Sequence, residues 1–178
     1  MRDVKKQALY VLYFAITLAV VVGVLKFLNW APGSIEPGLM ARYQSVDEAE
    51  ATLGIGKIYV PTYFPETIGW PPAAVLAQST PYPAVIMEFA RPSDGEMMLV
   101  IAQSANQHFQ PDVAIRFRTI SESVPLDLKG RKAQLDAGLC EDQTTCSRLA
   151  WNEAGVHLAL TMKAPSVELI RIAESMLR

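Results

Sequence analysis

The hydrophobic pattern changes period twice along the chain. Ala8 to Leu28 is an almost unbroken apolar run, flanked on its N-terminal side by Arg2, Lys5 and Lys6. About 21 residues rising about 1.5 Å each give about 30 Å, enough to cross the hydrocarbon core of a bilayer. The exit, Phe27-Leu28-Asn29-Trp30, lacks the small-residue pattern of a signal-peptide cleavage site, so the run reads as a retained anchor rather than a cleaved leader. Tyr10, Tyr13 and Phe14 at one end, with Phe27 and Trp30 at the other, fit interfacial aromatic belts, and Lys26 can snorkel to the headgroups. The basic flank predicts a cytoplasmic N-terminus and a C-terminal bulk outside the cytoplasm: a single-pass inner-membrane protein whose domain is periplasmic or extracytoplasmic.

Beyond the anchor, Pro32, Gly33, Pro37 and Gly38 mark a short, partly stiff linker. Ser45 and Glu48 form an S-x-x-E capping box ahead of a helix over Val46 to Leu53 that Gly54 closes. From there the apolar positions recur every second residue. Strands are predicted over Ile58 to Phe64, Ala84 to Ala90, Glu96 to Ser104 and Val113 to Thr119, with a turn at Pro92-Ser93-Asp94-Gly95. Arg148 to Trp151 and Val156 to Met162 flank Asn152-Glu153-Ala154-Gly155, a hairpin signal. In the last of these strands Val156, Leu158, Leu160 and Met162 alternate with His157, Ala159, Thr161 and Lys163, giving one buried and one wetter face. The helical period returns after Pro165-Ser166, with Val167, Ile170, Ala173 and Leu177 expected on the buried stripe. The pattern therefore divides the chain into a cytoplasmic stub and anchor (1–30), a Pro/Gly linker (31–44) and an exported α+β domain (45–178). That domain is read as a curved antiparallel sheet packed by the C-terminal helix.

Composition narrows the partners. About 135 residues suit one compact domain rather than two. From residue 31 onward the net charge is −5 (12 Lys and Arg against 17 Asp and Glu). That balance argues against nucleic acid, which needs a clustered basic face, and no polybasic segment follows the anchor to hold anionic lipid. Cys140 and Cys146, in an exported domain and five polar residues apart, read as a disulfide closing a small loop. The spacing does not fit C-x-x-C redox chemistry or a zinc site.

No catalytic motif, metal site or cofactor fingerprint is legible. Two histidines, His108 and His157, lack carboxylates at ligand spacing; His157 reads as a solvated or hydrogen-bonded residue on a strand's polar face, and His108 as a loop residue. There is no G-x-S-x-G elbow, and Gly54-Ile55-Gly56 lacks the rest of a phosphate loop. Trp70-Pro71-Pro72, and Tyr82 beside Pro83, are aromatic-proline segments that form rigid apolar surfaces suited to docking; Trp70 alternatively plugs one end of the sheet. Met87, Met97 and Met98 read as core residues or as an adaptable pocket lining.

Several segments together resemble a bacterial exported domain of unknown function. They are Tyr59-Val60-Pro61 with Phe64-Pro65, the hairpin from Val85 to Phe89 and Met98 to Gln103, the Trp151 turn, and the last helix through Ile172-Ala173-Glu174-Ser175-Met176. That domain is found C-terminal to a single transmembrane helix and is related to the sigma-factor regulator RseB/MucB and the lipoprotein-carrier group. The resemblance covers about residues 55–178 and implies a half-barrel whose apolar concavity binds acyl chains or peptides without catalysis. It carries over no functional residue. With only Met1 to about Gln7 on the cytoplasmic side, direct capture of a sigma factor is nearly excluded.

Three function classes fit this pattern. The first is a non-enzymatic accessory or assembly subunit on the exported face of a larger membrane protein complex. The second is an envelope sensor or carrier binding lipid or peptide in the sheet concavity, and the third an enzyme without a recognisable motif. The lining of the sheet discriminates the first two: a filled face favours docking, and an open cavity of several hundred Å³ favours a ligand.

Overall fold

The structure, a computed structural model, describes residues 40–54 and 56–177, together with Thr17, Val20, Val21 and Lys26, each of which is helical. Most of the expected anchor, Phe27 and Trp30 included, lies outside the described residues. Among the described residues no helix is long and apolar enough to cross a membrane. The chain divides into two units, Met1–Leu39 and Met40–Arg178, and the second contains the sheet.

Its elements are β1 (Ala41–Tyr43), α1 (Val46–Leu53), β2 (Ala74–Gln78), β3 (Ala84–Ala90), β4 (Met97–Ser104), β5 (Phe117–Leu128), β6 (Arg131–Cys140), β7 (Thr145–Glu153), β8 (Val156–Met162) and α2 (Ser166–Met176). The strands form one sheet in the order β1-β2-β3-β4-β8-β7-β6-β5, and every neighbouring pair is antiparallel. This is an α+β domain with a C-terminal helix, as the pattern predicts.

Local chemistry accounts for the elements that the pattern located. Ser45 caps α1 by accepting from the Glu48 N–H at 3.1 Å, and Glu48 accepts in return from the Gln44 N–H at 2.7 Å. Gly54 ends the helix by donating to Glu50 O. Ala154 and Gly155 both take positive φ, 49° and 83°. That is the two-residue turn whose twist matches a right-handed hairpin. The expected Cys140–Cys146 disulfide is present, with Cα atoms 5.3 Å apart. It joins the end of β6 to the start of β7, and both cysteines are buried in a small apolar cluster with Ile86, Val100 and Ile115.

Other segments depart from the expectation. Ala41–Tyr43, inside the expected linker, is a sheet strand whose Tyr43 pairs with Val75. Ile58 to Phe64 has strand composition but runs as extended chain without a backbone ladder. The buried Gln103 amide replaces the ladder: its Oε1 accepts from the Tyr59 N–H at 2.8 Å, and its Nε2 donates to Tyr59 O at 2.6 Å. The expected strand over Val113 to Thr119 begins only at Phe117 and continues to Leu128. In α2 the buried residues are Leu169, Ile172, Ala173 and Met176, whereas Val167 is 60% exposed. Ala173 and Leu177 of the expected stripe are buried and Ile170 packs against the core, while Leu169, Ile172 and Met176 widen that stripe where α2 packs on β7 and β8.

The two faces of the sheet are covered differently. Val85, Met87, Phe89, Leu99, Ile101, Leu149, Trp151, Leu158, Leu160 and Met162 point to one face and pack with α2 and with Ile58, Tyr59 and Ile68 into the main core. Met87 and Met98 belong to this core, while Met97 packs at the margin of the disulfide cluster. The opposite face is overlain by the segment between β4 and β5, residues 105–116, through Phe109, Val113 and Ile115.

Candidate functional site

On that second face, cross-strand register sets side chains in rows. One row runs Val100, Thr161, Arg148, Asp136, Ser123, and the next runs Ala102, Ala159, Ala150, Gln134. Three alanines side by side leave a depression, and the 105–116 segment walls it to form an open trough of about 510 Å³. Its volume is that of a small-molecule site.

The polar end of the trough is built around Asp136, which is 5% exposed. Arg148 donates to Asp136 Oδ2 through Nε at 3.0 Å and Nη2 at 2.6 Å, and the Ser123 hydroxyl donates to Oδ1. Gln134 Nε2 in turn donates to Ser123 Oγ at 2.9 Å. The Arg148 guanidinium also lies 5.6 Å from the centre of the Phe117 ring. A buried carboxylate and an aromatic face thus orient this guanidinium, whose side chain remains 42% exposed. At the far end, His157 Nδ1 lies 3.1 Å from Asn152 Oδ1. Burial, and then the positive charge of Arg148, hold its imidazole below the usual histidine range, which favours the neutral form. The expectation that His157 is hydrogen-bonded on the wetter face is met, while His108 lies in an exposed turn whose backbone N–H donates to Asn106 Oδ1.

The aromatic-proline segments occupy a second surface. Trp70 is 58% exposed, and its ring lies against Phe64 at 5.6 Å and Phe89 at 6.3 Å. It does not plug the sheet; it stands on the aromatic cluster at the core's edge. Pro71 and Pro72 follow, exposed and half-buried. Hydrogen bonds from Gly69 N to Ala90 O and from Ala73 N to Glu88 O pin the loop on both sides. A groove of about 480 Å³ lies beside it, lined by Lys57 to Thr62, Phe64, Trp70, Ser175 and Met176. Tyr82 is apart from this surface, half-buried and edge-on to Phe109 at 5.9 Å, where it braces the trough wall. The structure therefore brings Trp70, Pro71 and Pro72 together and separates them from Tyr82; Phe27 and Trp30 lie outside the described residues.

A further charged cluster ties three turns together. Lys163 bridges Glu96 at 3.1 Å and Asp142, and Arg91 joins Asp94 at 2.7 Å and Glu96 at 3.0 Å. The hydrogen bond from Lys163, with those from Thr144, holds the Asp142 carboxyl well below the usual carboxylate range.

Sequence reasoning missed the trough. The polar residues of its floor, Gln134, Asp136, Arg148 and His157, lie on β6, β7 and β8, and only pairing register brings them together. The one local sign was the alternation of Lys132, Gln134 and Asp136 with Ala133, Leu135 and Ala137. The chain matches no family model, no curated protein and no solved structure.

Proposed function

We propose that this protein is a membrane-anchored, non-enzymatic accessory subunit whose extracytoplasmic domain docks on a larger membrane protein complex. The observation that carries the reading is the exposed Trp70 on its pinned loop. Half-exposed tryptophans beside an apolar groove have the character of interface anchors, because a partner completes their burial at little conformational cost. The loop also lies close to where the chain enters the domain. Arg42 Nη2 donates to Ala73 O at 3.1 Å, and Met40 is only two residues from Arg42, at most about 7 Å of chain.

Purification of the full chain in gentle detergent, with co-purifying chains identified by mass spectrometry, tests this. The full chain is expected to carry a membrane complex, and Trp70→Ala and a chain beginning at Met40 are each expected to lose most of it. A full chain that purifies alone overturns the docking reading. The trough favours a second reading, an envelope sensor or carrier for lipid or peptide; its charged end and open form suit a small polar-headed molecule better than a long acyl chain.

A further inference from the structure

We infer that the trough between the second sheet face and the 105–116 segment is a binding site for a small aromatic carboxylate bearing a hydroxyl at its far end. The inference is independent of the docking reading, since Trp70 and its groove take no part in it.

Arg148 supplies the anion contact. Asp136 occupies its Nε and Nη2, and its Nη1 amino group makes no hydrogen bond among the described residues. Three donor N–H groups therefore remain, two on Nη1 and one on Nη2, on a guanidinium that Asp136 and the Phe117 ring already hold in place. Its charge is compensated but its donors are not exhausted, which suits a single carboxylate and disfavours a multiply charged anion such as phosphate.

The middle of the site asks for a flat body. Ala102, Ala159 and Ala150 stand in cross-strand register and offer only methyl groups. Phe109 and Ile115 close the space from the wall. A rigid ring laid on such a floor buries its face with little loss of conformational freedom, whereas a flexible chain loses rotamers for the same contact.

His157 sets the length and the far group. Thr161, in the Arg148 row, and His157 are four residues apart on β8, about 13 Å along the strand. With Asn152 Oδ1 against Nδ1, that nitrogen carries the proton and Nε2 is left as an acceptor. A neutral donor such as a hydroxyl satisfies it; a second carboxylate does not.

Titration of the full chain in detergent with 4-hydroxycinnamate, followed by calorimetry or by shifts of backbone amide resonances, tests the assignment. Saturable one-to-one binding is expected. The uncharged methyl ester should bind about tenfold or more weakly, and cinnamate, lacking the hydroxyl, several-fold more weakly. Ala159→Leu, which fills the floor, should abolish binding. Arg148→Gln should weaken it about tenfold or more. If that variant fails to fold because Asp136 is left buried and unpaired, Asp136→Asn with Arg148→Gln removes both charges and should show the same loss. The inference is overturned if 4-hydroxycinnamate does not saturate at millimolar concentration, if its methyl ester binds as well, or if Ala159→Leu binds as tightly as the unmodified chain.

Discussion

The two faces of the same sheet are built to different ends. Toward α2 the strands present Phe89, Leu99, Ile101, Leu149, Trp151, Leu158, Leu160 and Met162, all essentially inaccessible to solvent. Toward residues 105–116 the same strands present Ala102, Ala150 and Ala159 with Gln134, Asp136, Arg148 and His157, around open space. Alternation alone produces both faces, because residues one apart point oppositely. What differs is volume: large side chains fill the gap to a helix, whereas alanines leave a gap that a loop spans but does not fill. The filled face holds the fold together, and the other encloses open space.

Truncation on the filled face should break that comparison most visibly. Leu160→Ala removes a fully buried side chain beneath α2 and should cost about 2–5 kcal/mol. Ala159→Leu, the next residue on the opposite face, should change stability by about 1 kcal/mol or less, since the trough has room for it. Urea midpoints of the two variants in the full chain check the contrast; equal losses would mean that the trough is part of the core.

The disulfide gives the next largest effect. It closes a loop with a sequence separation of 6, for which loss of chain entropy in the unfolded state gives about 2 kcal/mol. Cys140→Ala with Cys146→Ala should lower stability by roughly that amount, and mass analysis of the native chain should show the two-dalton deficit of the oxidised form. Both cysteines sit under the loop-covered face with Ile115, so amide exchange in residues 105–116 should quicken more than in α2.

Trp70→Ala should be milder for stability, about 1 kcal/mol or less, because the ring is more than half exposed and gives up only part of its contact with Phe64 and Phe89. A loss several times larger would show that the residue serves the core rather than an interface.

The sequence revealed elements whose cause is local. Ser45, Glu48 and Gly54 mark α1, the Asn152 to Gly155 turn marks the β7–β8 hairpin, and the alternation from Val156 to Met162 marks the face of β8. It did not reveal elements whose cause lies elsewhere in the chain. β5 is an edge strand, 12 residues long and largely exposed. Its polar run through Glu122 and Pro125 lacks the apolar alternation that identifies a half-buried strand. Its register shifts against β6, and Gly138 is required there because a Cβ would collide with the Thr119 carbonyl. Ile58 to Phe64 looked like a strand because nothing local shows that the Gln103 side chain would take the ladder's place. The trough was hidden for the same reason: Arg148 and Asp136 meet only through the register of β6 and β7.

The smallest effect concerns the ion pairs that join the turns at the disulfide end. Asp142 has its pKa lowered, first by the hydrogen bond from Lys163 and then by Thr144, and Lys163 has its pKa raised, first by Asp142. A depressed carboxyl contributes stability that is present above its unfolded pKa and is lost as pH falls through the folded value. A raised ammonium contributes stability that is present below its unfolded pKa and is lost as pH rises through the folded value. The pair is therefore fully effective between the ordinary values of the two groups, 3.8 and 10.5, and weakens outside them. Asp142 lies at the surface, so salt should screen the pair. The urea midpoints of the unmodified chain and Asp142→Asn should differ by a small constant amount from about pH 5 to 9, begin to draw together below about pH 4 and converge only in strong acid. The difference should shrink in about 1 M salt, whereas the contrast between Leu160→Ala and Ala159→Leu should not. A difference that persists in high salt and strong acid would mean that Asp142 acts other than by its charge; the cap on the Thr144 turn, which its Oδ1 makes, is one that the asparagine oxygen can keep.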